Sequence, residues 1–408
     1  MPRNSATVAR RRVFYIPGYD PIHPRRYREL YRKEGAAQAE CSGYEITLSP
    51  RQGGERYGWN INALIDDIAV DASVDVLVWS DIVRDSMNTS IPATYWQLLR
   101  TAWVYMSTGA LWRLMRLRKG PVIAALYPVG MLLGQAALAA LLVVAVIAAA
   151  VLAGGGVAVQ AGAAVLGLVA AWRLLRWFKA KDGKFFAYYL MHDYAFGAAT
   201  RGANPPALET RISQFADAIA DALSQDDIDE VLVVGHSSGA HLGVSVLADL
   251  LRAGRVPHDG PALGFLSLGQ VVPMVSFLPE AYRLRADLAF LSRQHAIAWV
   301  DVTAPGDGCA FALCDPVAVS GVAPPDKVWP LVFSAAFTQT LSPERWRALR
   351  WRFFRLHFQY LCAFDRPGDY DYFRITAGPL TLADRYAGRK PSASRIEKPV
   401  NRFTATSR

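Results

Sequence analysis

Cysteine is scarce in this chain: Cys41, Cys309, Cys314 and Cys362 are the four in 408 residues. They form no CxxC pair, and no second pair completes a zinc site. Neither a disulfide framework nor a metal centre is expected, and the thiols are expected to stay reduced in a cytosolic setting. An export signal is also missing. Arg10, Arg11 and Arg12 are followed by an apolar stretch only from Val13 to Ile16, without the longer core and small-residue cleavage site of a signal peptide. There are no repeats, no glycine-rich nucleotide loop, no Lys-dense run and no RNA-binding motif. The net charge of +9 and pI near 9.4 are therefore expected to face an anionic membrane rather than nucleic acid. No cofactor is expected.

The absence with the largest consequence is of charge. From Gly120 to Trp172 there is not one charged residue, which is too long for a single crossing of about 20 residues. Gly154-Gly155-Gly156 divides the block. Met131 to Leu152 is almost wholly Ala, Leu, Val and Ile, while Val157 to Trp172 is shorter and can be extended to Trp177 if Arg173 snorkels. Arg113, Arg116, Arg118 and Lys119 precede the block, and Arg173, Arg176, Lys179, Lys181 and Lys184 follow it. Basic flanks belong on the cytoplasmic side, so both ends share that side and the crossings must be even in number. The expectation is a transmembrane hairpin, with crossings at about 131–152 and 157–177. Two buried core helices, or a re-entrant loop favoured by Pro128 and Gly130, are the alternatives.

The flanks are rich in rings and cations. Trp96, Trp103, Tyr105, Trp112 and Met115 alternate with Arg100, Arg113 and Arg116, and Trp177, Phe178, Phe185, Phe186, Tyr188 and Tyr189 sit among lysines. This mixture suits the headgroup layer, although an amphipathic core helix fits the first group nearly as well.

Outside residues 92–200 the chain reads as alternating strands and helices, the pattern of a mostly parallel α/β sheet. Strands are expected at Val13–Ile16, Tyr44–Leu48, Val74–Trp79, Val231–Val234, Leu263–Leu268, Ile297–Val302 and Leu331–Phe337. Helices are expected at Pro24–Glu40, Pro206–Leu223 and Ala240–Leu251. Between an apolar strand and a helix lies Gly235-His236-Ser237-Ser238-Gly239. A serine on so sharp a strand-to-helix turn needs small residues two before and two after it, and the helix N–H groups behind it favour developing negative charge.

In this motif and its setting the chain resembles the α/β-hydrolase superfamily, over all of its length except the membrane insert and the C-terminal tail. The resemblance implies Ser237 as nucleophile, with an acid and then a histidine later in the chain. Of the downstream histidines, His241 lies in the nucleophile helix, His258 precedes the next strand and His295 precedes the acid strand. His357 alone follows the last strand. Its apolar setting also fits a core histidine. Asp301, Asp307 and Asp315 are the candidate acids; Asp307, in the loop Ala304-Pro305-Gly306-Asp307-Gly308, is the choice. The Ser238 N–H is one expected oxyanion donor. The resemblance takes the second from the loop after the first strand, here Pro17-Gly18-Tyr19. Tyr19 is chosen, although Pro17 replaces the histidine of the family's loop. His23 and the dipeptide His192-Asp193 are further candidates to line the pocket.

The expected organisation is a first hydrolase segment (1–91), a membrane insert (92–200), a second hydrolase segment (201–384) and a basic, disordered tail (385–408). Because the insert joins the sheet at the carboxyl edge that carries Ser237, the catalytic face is expected to point at the cytoplasmic leaflet. That implies an integral protein of a bacterial inner membrane with both termini cytoplasmic, acting on a membrane-borne or hydrophobic acyl ester. Acyl transfer or thioester cleavage on the same residues, and a catalytically silent scaffold, are the competing readings.

Overall fold

The computed structural model describes residues 7–51, 56–87 and 89–408. β1 (Arg10–Ile16) opens the sheet, its last four residues all buried. Helix α1 (Arg25–Ser42) follows and stops at Gly43, whose φ of 72° is the left-handed C-cap that glycine adopts without steric cost. β2 (Glu45–Pro50), β3 (Gly58–Ile65) and β4 (Ile68–Val76) then form an antiparallel meander. β3 alternates buried Trp59, Ile61, Ala63 and Ile65 with more open positions, the mark of a strand with one face in the core. It was not anticipated from sequence, and β4 ends at Val76 rather than near Trp79.

Next come the elements of the insert and its approach: α2 (Ser80–Met87), α3 (Ile91–Ser107), α4 (Ala110–Leu117), α5 (Lys119–Leu152), α6 (Val157–Ala180), α7 (Asp182–Phe185) and α8 (Ala187–Ala199). α9 (Pro206–Leu223) returns the chain to the sheet, followed by β5 (Glu230–His236), α10 (Ser238–Arg252), β6 (Ala262–Leu268), β7 (Ala298–Thr303) and β8 (Leu331–Ser334). β8 is shorter than expected because Ala336, at φ 48°, turns the chain out of the sheet.

The eight strands lie in the order β2-β3-β4-β1-β5-β6-β7-β8. From β4 to β8 every neighbouring pair is parallel. This is an α/β protein with a mostly parallel mixed sheet. One face packs on α1 through Tyr31, Trp59 and Phe373; the other packs on α9 and α10 through Phe215, Leu247 and Trp299. After β1 the chain builds toward one edge, and from β5 onward toward the other. The crevice between the carboxyl ends of β1 and β5 is therefore a topological switch point.

α5 and α6 are both long and apolar enough to cross a membrane, and only 11% of the most apolar window of each is buried. That exposure separates them from ordinary core helices. α5 has 34 residues, about 51 Å at 1.5 Å per residue, more than a bilayer core of about 30 Å needs. The excess is at its start, where Pro121, Val122 and Leu132 are buried and Tyr95 of α3 donates to the Leu132 carbonyl at 2.9 Å. Further out α5 lies against α6, where Gly167 permits an approach so close that a Cβ would stand 3.1 Å from Val143 Cα. On α3, Trp96 and Trp103 are 67% and 73% exposed, in line with exposed Leu99 and Met106, whereas Tyr105 is buried.

The tail expected to be disordered is laid along the sheet edge instead. Ser392 N–H donates to Val332 O at 3.0 Å, and Ile396 N–H to Leu313 O at 2.7 Å, making a parallel bridge to Cys314. Its polar composition suggested disorder, but these backbone bonds and the partial burial of Ile396 and Val400 hold it.

Candidate active site

Ser237 stands between β5 and α10 at φ 56° and ψ −122°, a backbone conformation that costs energy in any residue other than glycine. The surrounding glycines explain how the chain reaches it. A Cβ on Gly235 would lie 2.6 Å from the Gly239 carbonyl, and one on Gly239 would collide with the Ile16 carbonyl of β1. Gly18, just past β1, is pressed against the serine: a Cβ there would sit 3.0 Å from Ser237 Cβ and 3.4 Å from its Oγ. Both glycines of the motif and Gly18 are thus demanded by close packing at the switch point.

Ser238 is the first residue of α10, where a backbone N–H has no intrahelical acceptor. The loop Pro17-Gly18-Tyr19 is fixed from outside the sheet. Trp79 Nε1 donates to the Pro17 carbonyl at 2.9 Å, and the Tyr189 hydroxyl of α8 donates to the Tyr19 carbonyl. The Tyr19 ring is buried against Trp79 and Phe196.

Asp307 and His357, 50 residues apart, are brought together: Nδ1 of His357 lies 2.7 Å from Asp307 Oδ2. Burial alone would raise the Asp307 carboxyl. His357, the Cys309 N–H at 2.9 Å and the Tyr360 hydroxyl at 3.1 Å outweigh it and hold the carboxyl below its ordinary range. Tyr360 is itself oriented by accepting the Ala304 N–H at 2.9 Å. The other nitrogen of His357, Nε2, is buried with no hydrogen-bond partner among the described residues. An orphaned buried nitrogen of this kind needs a reason. Ser237 and His357 line the same cavity, of about 1060 Å³. Ser237 Oγ makes no hydrogen bond among the described residues; such catalytic contacts often close only on a bound substrate.

No family model, curated protein or solved structure matches this chain. The site's chemistry is therefore read from its own geometry.

Asp301 and Asp315, the alternative acids, have other partners. Asp301 is buried in β7, accepts from Ser267 at 2.5 Å, and is pushed up to about 8 by burial. Asp315 caps the short helix Pro316–Val319 and pairs with Lys327 at 2.7 Å. His258 and His295 are exposed, and His23 is an exposed residue accepting from the Arg25 N–H. His241 is held down at about 4 by burial and does line the cavity. His236 stacks on His357 with ring centroids 4.8 Å apart and shares a contact with the His357 carbonyl at 3.0 Å; burial lowers it to about 3.

Two neighbours of the acid were not foreseen, whereas Asp193 lines the cavity as the sequence suggested. Tyr360 and Cys309 border Asp307, the Cys309 sulfur lying within 4.8 Å of ligand atoms of Asp307 and His357. Asp193, on α8, lines the cavity with no hydrogen bond or ion pair among the described residues. Its neighbours with titratable groups are Tyr19, Tyr105, Tyr189, Tyr194, Cys309 and His357. Burial pushes its carboxyl up to about 7, and His357 partly opposes this. The pair His192-Asp193 splits, because His192 turns away to Gln97 at 2.9 Å.

The insert touches the acid loop directly. A Cβ on Gly120, in the first turn of α5, would stand 3.3 Å from Gly308 Cα, and Arg118 Nε donates to Ala312 O at 2.7 Å. Phe186, next to α8, packs on Phe354 with centroids 4.7 Å apart.

Proposed function

We propose that this chain is a membrane-anchored serine hydrolase of the α/β-hydrolase type, cleaving lipid-like carboxylic esters through an acyl-enzyme. The observation that carries the reading is the strained Ser237 turn, opening on the same cavity as a His357–Asp307 pair whose Nε2 is unpartnered among the described residues. Asp307 holds the Nδ1 proton of His357, so Nε2 can take the proton of Ser237 as its oxygen attacks the acyl carbon. Ser238 and Tyr19 N–H groups are the oxyanion donors in this scheme. His357 then hands the proton to the leaving alcohol, and water releases the acid by the same route.

The membrane part rests on the apolar, largely exposed α5–α6 pair, its basic flanks, and the exposed tryptophans of α3. With Gly120 against the acid loop, a hairpin in the inner membrane puts the cavity at the cytoplasmic headgroup layer, with both termini on that side. Fluorophosphonate labelling tests the chemistry. The expected result is labelling of the wild type and none of Ser237→Ala; equal labelling of the two sinks the enzyme. A panel of p-nitrophenyl esters should show a preference for long acyl chains and stimulation by anionic vesicles. Activity confined to short soluble esters would count against the lipid substrate.

A further inference from the structure

The cavity that holds Ser237 and His357 is lined unevenly. Buried apolar side chains, among them Trp79, Tyr105, Leu208 and Met274, form its floor. Cations stand at its rim: Arg26, Lys33, Arg345, Arg352 and Arg355. Two of them are matched, Arg26 by Asp20 at 3.0 Å and Arg345 by Glu34 at 3.6 Å. Lys33, Arg352 and Arg355 are exposed and paired with no carboxylate among the described residues. Asp182, also at the rim, is committed to the N–H groups of Tyr188 and Tyr189 at 2.9 and 2.8 Å.

The local sequence makes this arrangement. From Arg345 to Arg355 there are five arginines and no acidic residue. Arg347 is drawn away to Glu344 at 2.9 Å, and Arg350 stacks on Trp351. Arg352 and Arg355 are left to the cavity on either side of Phe354, the residue that meets Phe186 of the insert. The unmatched cations therefore stand where the base of the hairpin meets the catalytic domain. Unpaired like charges around one opening repel, and an anion with several oxygens relieves that repulsion through charge-assisted, forked hydrogen bonds.

Building on the serine-hydrolase reading, we propose that this rim is the headgroup site of the substrate, and that the ester cleaved belongs to an amphiphile carrying a phosphate-type anion. Lys33, Arg352 and Arg355 hold the anion while the acyl chain lies along the apolar floor past Ser237.

The test uses full-length Ser237→Ala protein in an uncharged detergent and measures binding of octyl phosphate and octyl glucoside, each below its micelle concentration. Octyl phosphate should bind about ten-fold tighter at low salt, with the difference shrinking at high salt as screening grows. Arg352→Gln combined with Arg355→Gln should abolish the difference without changing Tm, whereas Arg350→Gln, outside the cavity, should keep it. Equal affinities in the parent protein, or a preference that survives the double substitution, overturns the proposal. So does a preference seen only on phosphatidylglycerol vesicles, which would make the rim a bilayer contact rather than a substrate site. Labelling of the wild type separates the two readings. A chain that binds octyl phosphate but does not label keeps the anion site and loses the hydrolase; one that labels without preference loses only the anion site.

Discussion

At the residue scale, the site depends on how two carboxyl groups are environed. Asp307 receives donors from His357, Cys309 and Tyr360 and stays ionised, which in the proposed reading lets it hold His357. Asp307→Asn should keep the fold and lower kcat by about 10⁴-fold, read from ester hydrolysis, because the imidazole then loses its oriented tautomer. Tyr360→Phe removes one of those donors and leaves the Ala304 N–H without its acceptor. A loss of about 1–3 kcal/mol in stability is expected, measured by denaturant unfolding in detergent. Asp193 is the opposite case. Its folded-state value is raised to about 7 from an ordinary value near 4. Its contribution to stability is thus fully present below about pH 4 and is lost as pH rises through about 7. Tm should fall between pH 5 and pH 8 in the wild type, and by less in Asp193→Asn. An identical fall in both proteins would refute that assignment.

At the element scale, the start of the α5–α6 hairpin packs on the loop that carries Asp307. The first turn of α5 packs on Gly308, and Trp346 packs on Gly306, where a Cβ would stand 2.6 Å from the indole. Both glycines that flank Asp307 in the chain are thus tightly packed. Gly120→Val should therefore displace the loop and cost about 10²-fold in kcat, since misplacement of a catalytic group by roughly 1 Å has that order of effect. The check is activity alongside Tm: a parallel collapse of both would mean general unfolding rather than loop displacement. The same contact explains why α5 is longer than a crossing requires. Its early turns bury one face, through Pro121, Val122, Pro128 and Leu132, while Ile123 and Leu126 stay exposed; beyond Ala139 no residue of the helix is buried.

At the scale of the whole molecule, the orientation of the hairpin is the testable consequence. A Gly155→Cys variant, compared with the unmodified chain, should react with an impermeant maleimide applied to the periplasmic face; reaction from the cytoplasmic face alone would rule out two crossings. Much of this organisation was legible in the sequence, because it rests on local rules. The 3.6-residue apolar period set α9, the continuous apolar run set β5, the uncharged block set α5 and α6, and small residues around Ser237 marked the turn. β3 was legible as well, since Trp59, Ile61 and Ala63 alternate with Asn60 and Asn62 at the period of a half-buried strand, but its antiparallel place between β2 and β4 comes only from pairing. The tail escaped notice because its order comes from bonds to residues about 60 to 120 positions away. What the sequence determined by itself was the sharp Ser237 turn and the long uncharged apolar helices, both set by residues adjacent in the chain. Only the tertiary structure could bring Asp307 to His357, put Asp193 in the cavity and lay α5 on the acid loop. Those are long-range contacts, decided by which strand ends and helix faces the sheet brings together.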